Sequence, residues 1–155
     1  MKAIRITIVI VIIILFLLLY YLVSIENKNI KENKIVTKII DGDTIIVEGG
    51  ENIRLIGIDC DEKGKKCYDA AKNKLEETLL NKVVYLESGN EKKDIYSRSL
   101  RYIFLDEKNI NLNMVKEGYC VARFSGNLEE KYEKEIKNAE RFAINNKIGC
   151  KWEDI

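Results

Sequence analysis

The sequence predicts an α+β fold in which a small β-barrel carries helices. About five short apolar runs, bounded by glycine and polar residues, have the length and composition of strands. Three other segments repeat their apolar residues at helical spacing. The chain has 155 residues, enough for one domain with a real hydrophobic core. Short strands with interspersed helices favour a barrel with one face covered by helices.

The first 24 residues are predicted to be a transmembrane anchor or a signal. Residues 6–23 are apolar except for Thr7 and two tyrosines, and a helix of that length spans about 27 Å. The run is long for a secretory signal and no small-residue cleavage site follows it, so an uncleaved anchor is preferred over a cleaved signal or a core helix. Lys2 and Arg5 favour a cytoplasmic N-terminus. We therefore expect a single-pass protein of the cell membrane with its C-terminal domain outside the cytoplasm, or a secreted protein if the segment is cleaved.

A polar tether over residues 25–34 is predicted to lead into a folded domain over residues 35–155. The alternation of apolar and polar residues and the positions of glycine divide that domain into its elements. Strands are predicted over residues 35–40, 44–47, 53–58, 82–87, 99–105 and 119–124, and helices over residues 68–81, 109–117 and from about 128 to 148.

A predicted hairpin brings acidic residues together at its open end. Gly49 and Gly50 separate the two apolar runs and supply the turn. With the turn centred near Gly50, Asp41 lies opposite Asp59 and Asp43 opposite Gly57. Neighbouring strands are about 4.8 Å apart, so carboxylates from both strands can reach one cation.

Composition restricts the chemistry that such a site can perform. With 26 basic and 25 acidic residues the net charge is only +1, so a broad positive field for binding nucleic acid is not expected. The chain has no histidine, which excludes Ser-His hydrolases, histidine-based nucleases and histidine metal sites. A general base must be a carboxylate or, less favourably, a lysine or tyrosine.

Five motifs in order along the chain resemble the staphylococcal nuclease-like (thermonuclease) family. That family has a five-stranded OB-type β-barrel with three helices, and the resemblance implies this fold here, preceded by the transmembrane helix. The motifs are IDGDTIIV at 40–47, IRLIGIDCDE at 53–62, DIYSRSLRYIFL at 94–105, INLNMVKEGYC at 110–120, and Ala139-Glu140 with Trp152.

The resemblance also implies a site for Ca²⁺ and a catalytic set. Oxygen ligands suit calcium, arginines suit the negative charge that develops on phosphorus, and a glutamate can orient or deprotonate water. The implied metal ligands are Asp43, Asp59 and the backbone carbonyl of Cys60, and Asp41 is expected near the metal without binding it directly. The implied catalytic residues are Arg54, Glu62 and Arg98. Tyr96 is implied to face the substrate, where its ring could stack on a base, with burial in the barrel wall as the alternative.

Four positions depart from the family pattern. Cys60 and Asp61 stand where the family has threonine or alanine and then proline. Loss of the proline removes a restraint on the loop that aims Glu62, and Asp61 adds a negative charge beside it. Ser97 replaces a glycine before the second arginine, and Phe124 replaces a tyrosine.

Four cysteines in a domain expected outside the cytoplasm predict two disulfides, for which three pairings exist. We favour Cys60 with Cys67, which are close in sequence, and Cys120 with Cys150. A zinc site is disfavoured because the chain has neither histidine nor a C-x-x-C pair.

The leading hypothesis is a calcium-dependent nuclease that hydrolyses phosphodiester bonds of DNA and/or RNA at the outer side of the membrane and leaves 3′-phosphates. The alternative is a non-catalytic, membrane-anchored OB-type module for binding nucleic acid or another partner. A third possibility, an OB-type module for saccharide, would not explain Arg54, Glu62 and Arg98. Nucleic acid is the expected partner, the membrane is expected to be contacted through residues 6–23, and the sequence indicates no protein partner.

Overall fold

The computed structural model describes residues 11–21, 32–124 and 129–154. The chain forms two compact units, Met1–Ile30 and Lys31–Ile155. In the first unit, residues 11–21 are α-helical (α1). Most of the predicted tether, the start of the last predicted helix, and the ends of the predicted anchor lie outside the described residues.

The predicted localisation as a single-pass membrane protein is wrong. Within the three described ranges, no helix has the length and apolar character needed to cross a bilayer. The same finding leaves the predicted membrane contact of residues 6–23 without support.

The second unit contains eight strands and four helices in its described part. The strands are β1 (Glu32–Ile39), β2 (Thr44–Val47), β3 (Asn52–Leu55), β4 (Ile58–Cys60), β5 (Val83–Lys93), β6 (Ser99–Leu105), β7 (Lys108–Asn109) and β8 (Cys120–Ala122). The helices are α2 (Tyr68–Leu79), α3 (Ile110–Lys116), α4 (Glu133–Asn145) and α5 (Gly149–Trp152).

Five of the strands close into a barrel, which confirms the predicted α+β class and the five-stranded barrel with helices. The sheet runs β3-β2-β1-β5-β6, and a parallel pairing of β3 with β6 joins its two edges. In that pairing Arg54 lies opposite Leu100. The residues just before β6 therefore lie beside the start of β3, although more than 40 positions separate them in sequence.

The predicted strand over residues 53–58 is wrong, because the chain turns in the middle of it. β3 ends at Leu55, and Gly57 has a φ of +78°, which lies in the left-handed region that favours glycine. β4 then leaves the barrel and pairs with β8 in a separate two-stranded sheet. Asp59 is consequently not in the hairpin, and Asp43 is bonded across the hairpin to Leu55.

The barrel interior is apolar, with one buried amide at its junction with α3. Asn111 is fully buried. Its side-chain nitrogen donates to the carbonyls of Ile56 and Arg101 at 2.9 and 3.2 Å, and its oxygen accepts from the N–H of Ile103 at 3.0 Å. The bonds to the Ile56 carbonyl and the Ile103 N–H provide partners for backbone groups beyond the end of the β3–β6 pairing, so Asn111 fixes α3 to the barrel.

Both disulfides are formed, but the predicted pairing is wrong. Cys60 is bonded to Cys120 and Cys67 to Cys150. The first pair follows from the β4–β8 pairing, which places Cys60 directly opposite Cys120 with their Cα atoms 4.3 Å apart. The second joins the start of α2 to α5, an approach that closeness in sequence cannot predict.

Candidate functional site

The site is built on the turn between β1 and β2, where Asp41 and Asp43 lie. Asp41 accepts the N–H of Asp43 at 3.0 Å and so shapes the turn from its own side chain. Gly42 between them is buried against Ala71 and Cys60, which leave no room for a Cβ atom at this position. The turn thereby directs the Asp43 carboxylate inward, where only 6% of the residue is exposed.

Asp43 is a buried acid with incomplete compensation of its charge. Burial is the largest influence and raises the pKa of its carboxyl to about 7. Arg54, whose Nη1 lies 3.1 Å from Oδ2, and the Cys60 N–H, which donates to Oδ2 at 2.8 Å, lower this pKa, whereas Asp41 raises it further. The surroundings of Asp43 therefore favour an additional positive charge.

Arg54 joins the two aspartates that the sequence singles out. Nη1 faces Asp43, and Nη2 donates to Oδ1 of Asp59 at 3.1 Å. Nη1 also donates to the carbonyls of Leu55 and Ile58 at 3.2 and 3.0 Å. The turn between β3 and β4 thus wraps around the guanidinium and holds it in one orientation.

Asp59 is shared between two arginines. Its Oδ2 accepts from Nη1 of Arg123 at 3.0 Å, while Oδ1 faces Arg54. Arg123 is largely exposed, with 71% of its side chain accessible. The β4–β8 pairing brings it there, because β8 ends just before Arg123. Sequence reasoning missed this residue, since only the non-local strand pairing identifies it.

Arg98 is oriented by Asp94. Its Nε donates to Oδ2 of Asp94 at 2.7 Å. The other oxygen of Asp94 accepts the N–H groups of Tyr96 and Arg98 at 2.9 and 3.0 Å. Burial raises the pKa of Asp94, but the Arg98 side chain and these N–H groups outweigh it and hold the pKa below its usual range.

The loop before β6 presents Tyr96 and Arg98 together. Tyr96 is 74% exposed, and the Arg98 guanidinium carbon lies 5.5 Å from the centre of its ring. Ser97 between them has a φ of +63°, in the left-handed region that favours glycine. The ring is not part of the barrel wall.

A continuous set of contacts connects the two halves of the site. Arg98 Nη1 donates to the Thr44 hydroxyl at 3.5 Å, and that hydroxyl donates to Oδ1 of Asp43 at 3.1 Å. Because Asp43 also pairs with Arg54, both arginines are linked through one buried aspartate. The structure therefore brings together Asp41, Asp43, Arg54, Asp59, Cys60, Tyr96 and Arg98.

Glu62 is the one predicted site residue outside this set of contacts. It is exposed, and among the described residues its carboxylate has no hydrogen bond or ion pair. Its backbone carbonyl accepts the N–H of Lys65 at 3.0 Å. Asp61 beside it does not act as a free charge, because its carboxylate pairs with Lys151 and accepts the Cys67 N–H at 2.9 Å. Burial raises the pKa of Asp61, but these partners lower it below its usual range.

Phe124 has an apolar role at the rim of the site. Its ring lies against Gly57, where it occupies the space that a Cβ would need. Lys137 lies 5.7 Å from the ring centre. The phenyl ring therefore packs on the turn between β3, which contains Arg54, and β4, which contains Asp59.

Side-chain clusters alone do not define a metal centre in the described part of the chain. No group of three or more acidic or cysteine side chains there is arranged to hold a metal ion. Asp43 and Asp59 are joined through Arg54, and Asp41 lies next to Asp43 in the same set of contacts.

Comparison with known proteins gives one family. The family model described as "Staphylococcal nuclease homologue" matches residues 52–154. A protein named thermonuclease from Staphylococcus intermedius is 36% identical over 131 residues, covering 79% of this chain and 77% of that protein. The thermonuclease of Staphylococcus hyicus is 33% identical over 132 residues, covering 77% and 75%. A protein of Haemophilus influenzae named as an uncharacterized endonuclease is 37% identical over 91 residues, covering 56% of this chain and 50% of its own length.

Proposed function

Because the chain belongs to the staphylococcal nuclease family, we propose that it is a nuclease that hydrolyses phosphodiester bonds of DNA and/or RNA. The observation that carries this proposal is the chain of contacts from Arg54 through Asp43 and Thr44 to Arg98. Two guanidinium groups held in fixed orientation beside acidic residues suit a phosphate whose negative charge increases during reaction.

In this proposal Arg54 and Arg98 bind the non-bridging oxygens of the phosphate. Arg54 is oriented by four contacts, which prepare it without rearrangement. Arg98 has Nε fixed by Asp94 and a long, weak contact from Nη1, so its outer nitrogens are available to substrate. Tyr96, exposed beside it, offers a ring on which a base can stack.

Glu62 is proposed as the general base. A carboxylate is required because the chain has no histidine, and an exposed carboxylate without a partner among the described residues is available to bind water. Glu62 takes a proton from the attacking water while the arginines hold the phosphate. Loss of the 5′-oxygen as leaving group would give a 3′-phosphate and a free 5′-hydroxyl, which we propose as the products.

We further propose calcium as the cofactor, held by Asp43, Asp59 and the carbonyl of Cys60, with Asp41 orienting Asp43. Hard oxygen ligands fit this ion, and the raised pKa of Asp43 indicates a buried acid that favours more positive charge. The Cys60 N–H donates to Asp43 at 2.8 Å, which places the backbone of Cys60 beside that carboxylate. Bound calcium would supply Lewis-acid polarisation of the phosphodiester.

The test is cleavage of single-stranded and duplex DNA and of RNA by the purified protein, with Ca²⁺ or with a chelator. We expect cleavage to require the metal, and Glu62→Gln and Arg98→Ala each to lower the turnover number by about 10²- to 10⁴-fold. Glu129→Gln, on an exposed acid outside the set, is the matched control. Analysis of the product ends decides between 3′- and 5′-phosphates.

Two results would contradict the proposal. Cleavage unaffected by both substitutions would remove the assigned mechanism. Absence of cleavage by a folded wild-type protein that still binds nucleic acid would favour a non-catalytic binding module of the same fold.

A further inference from the structure

Glu62 lies in a loop whose position depends on its backbone. We call residues Asp61–Cys67 the Glu62 loop. Since the Glu62 side chain has no partner among the described residues, only the loop determines where its carboxylate lies. Cys60, the residue before the loop, is fixed by its N–H bond to Asp43 and by its disulfide to Cys120. The other end of the loop, at Cys67, is held by a different segment of the chain.

The C-terminal segment holds the loop at three points. We call residues Cys150–Asp154 the C-terminal clasp. Cys150 is bonded covalently to Cys67 at the end of the loop. Lys151 Nζ pairs with Oδ1 of Asp61 at the start of the loop, and Lys66 pairs with Asp154. The first and last residues of the loop are thus both attached to neighbouring residues of one short segment.

Asp61 is the central contact of this arrangement. One oxygen accepts the N–H of Cys67 at 2.9 Å, which closes the loop on itself, and the other faces Lys151. The side chains of Asp61 and Lys151 are only 20% and 19% exposed, so the pair is less screened than a surface ion pair. By contrast, Lys66 and Asp154 are 51% and 76% exposed, and their pair is expected to contribute little.

The clasp is itself fixed to the domain. Gly118 and Gly149, with φ of +70° and +73°, pack backbone against backbone, and a Cβ on either would overlap a carbonyl of the other segment. The N–H of Lys151 donates to the carbonyl of Gly118 at 3.1 Å. Lys151 therefore reaches Asp61 from a rigid support at the end of α3.

We propose that the C-terminal clasp, through Lys151 and Asp61, positions Glu62 for catalysis and so replaces the restraint that a proline at position 61 would give. This inference rests on the proposed nuclease function. Lys151 is a positioning residue: it touches Asp61, and it affects the reaction through the direction in which Glu62 points. A displacement of about 1 Å in a catalytic group costs up to about 100-fold in rate.

The experiment is a double-mutant cycle between Lys151 and Glu62, measured as steady-state cleavage with Ca²⁺. We expect Lys151→Met to lower kcat by about 10- to 100-fold with KM changed less than about threefold, and Lys151→Arg to restore most of the rate. In the Glu62→Gln background, Lys151→Met should have no further effect, because there is no carboxylate left to aim. Lys131→Met is the matched control, since it breaks a lysine pair with Glu87 remote from the loop.

Hydrogen exchange of the loop amides gives a readout that does not depend on activity. Lys151→Met should accelerate exchange of the Cys67 and Lys65 N–H groups, which are bonded within the loop, and leave exchange in the barrel strands unchanged. This also shows whether the variant is folded.

The outcomes separate the two proposals. An active wild type in which Lys151→Met keeps its kcat, or in which the effects of Lys151→Met and Glu62→Gln multiply independently, overturns the positioning role and leaves the nuclease proposal standing. A folded wild type without cleavage overturns both. Loss of kcat confined to backgrounds with Glu62, with rescue by arginine, supports the positioning role.

Discussion

Asp94 and Arg98 are joined by a 2.7 Å hydrogen bond from Nε to Oδ2, within a loop whose backbone is organised by the same carboxylate. One oxygen of Asp94 folds the turn and the other directs the guanidinium. The Asp94 carboxylate therefore fixes both the backbone position of Arg98 and the orientation of its side chain. Motif reasoning identified Arg98 but gave Asp94 no role.

Asp94→Asn is expected to lower cleavage by about 10- to 100-fold, because the amide weakens the bond that orients Arg98. The pH dependence has a defined sign. The folded-state pKa of Asp94 is lowered, so its contribution to stability is present above about pH 4 and is lost as pH falls through the lowered pKa. Urea unfolding of wild type and variant should differ equally at pH 7 and pH 5 and converge near pH 2. A difference unchanged down to pH 2 would contradict the role of the ionised carboxylate.

Asp43→Asn is expected to stabilise the metal-free protein at pH 8. With a folded pKa of about 7 against about 3.9 unfolded, ionised Asp43 destabilises the fold increasingly as pH rises from 4 to 7. Asparagine resembles the neutral acid, so the gain at pH 8 should be about 2–4 kcal/mol. It should disappear near pH 4. Thermal unfolding in chelator at both pH values measures this, and a stability loss at pH 8 would show that the Arg54 pair outweighs burial.

Tyr96→Ala is expected to weaken substrate binding without affecting the fold. The ring is 74% exposed, and loss of one stacked base costs about 1–3 kcal/mol, or roughly 5- to 150-fold in KM for single-stranded DNA. Unfolding by urea should be unchanged. Phe142→Ala, which removes an exposed ring on α4, is the control. Equal KM values for wild type and Tyr96→Ala would exclude stacking at this position.

Asn111→Ala is expected to destabilise the domain by about 2–4 kcal/mol, because it leaves the N–H of Ile103 and the carbonyl of Ile56 buried without partners. Asn138→Ala, on the exposed face of α4, should cost less than about 0.5 kcal/mol. Urea midpoints at 25 °C compare the two. A similar loss for both variants would mean that water replaces the amide at the junction.

The helices and strands that the sequence predicted well are those whose structure is determined by residues within or next to them in the chain. Periodic apolar residues and flanking turns set α2, α3 and β2 close to their predicted bounds. The prediction of one strand over residues 53–58 was wrong because Gly57 adopts a left-handed φ and packs against the Phe124 ring. The residues around Gly57 do not indicate this contact, because Phe124 reaches Gly57 only when β8 pairs with β4.

The candidate site divides in the same way. Asp43, Arg54 and Asp59 were identified by motif and do meet, although by a turn and not by the hairpin register first inferred. Arg123 and Lys151 were missed, since each reaches the site from a distant part of the chain. The disulfides were misassigned for the same reason: closeness in sequence is a poor guide when strand pairing decides which sulfurs meet.

The two disulfides interlock along the chain, since Cys67 lies between Cys60 and Cys120, and Cys120 lies between Cys67 and Cys150. Each side of the Glu62 loop is therefore tied to a residue synthesised much later. A chain shortened before Cys150 would retain every residue assigned to chemistry and still lack the bond that ends the loop. That bond can form only after the chain is nearly complete, and only where thiols are oxidised, so the loop is the part of the domain whose restraint is completed last.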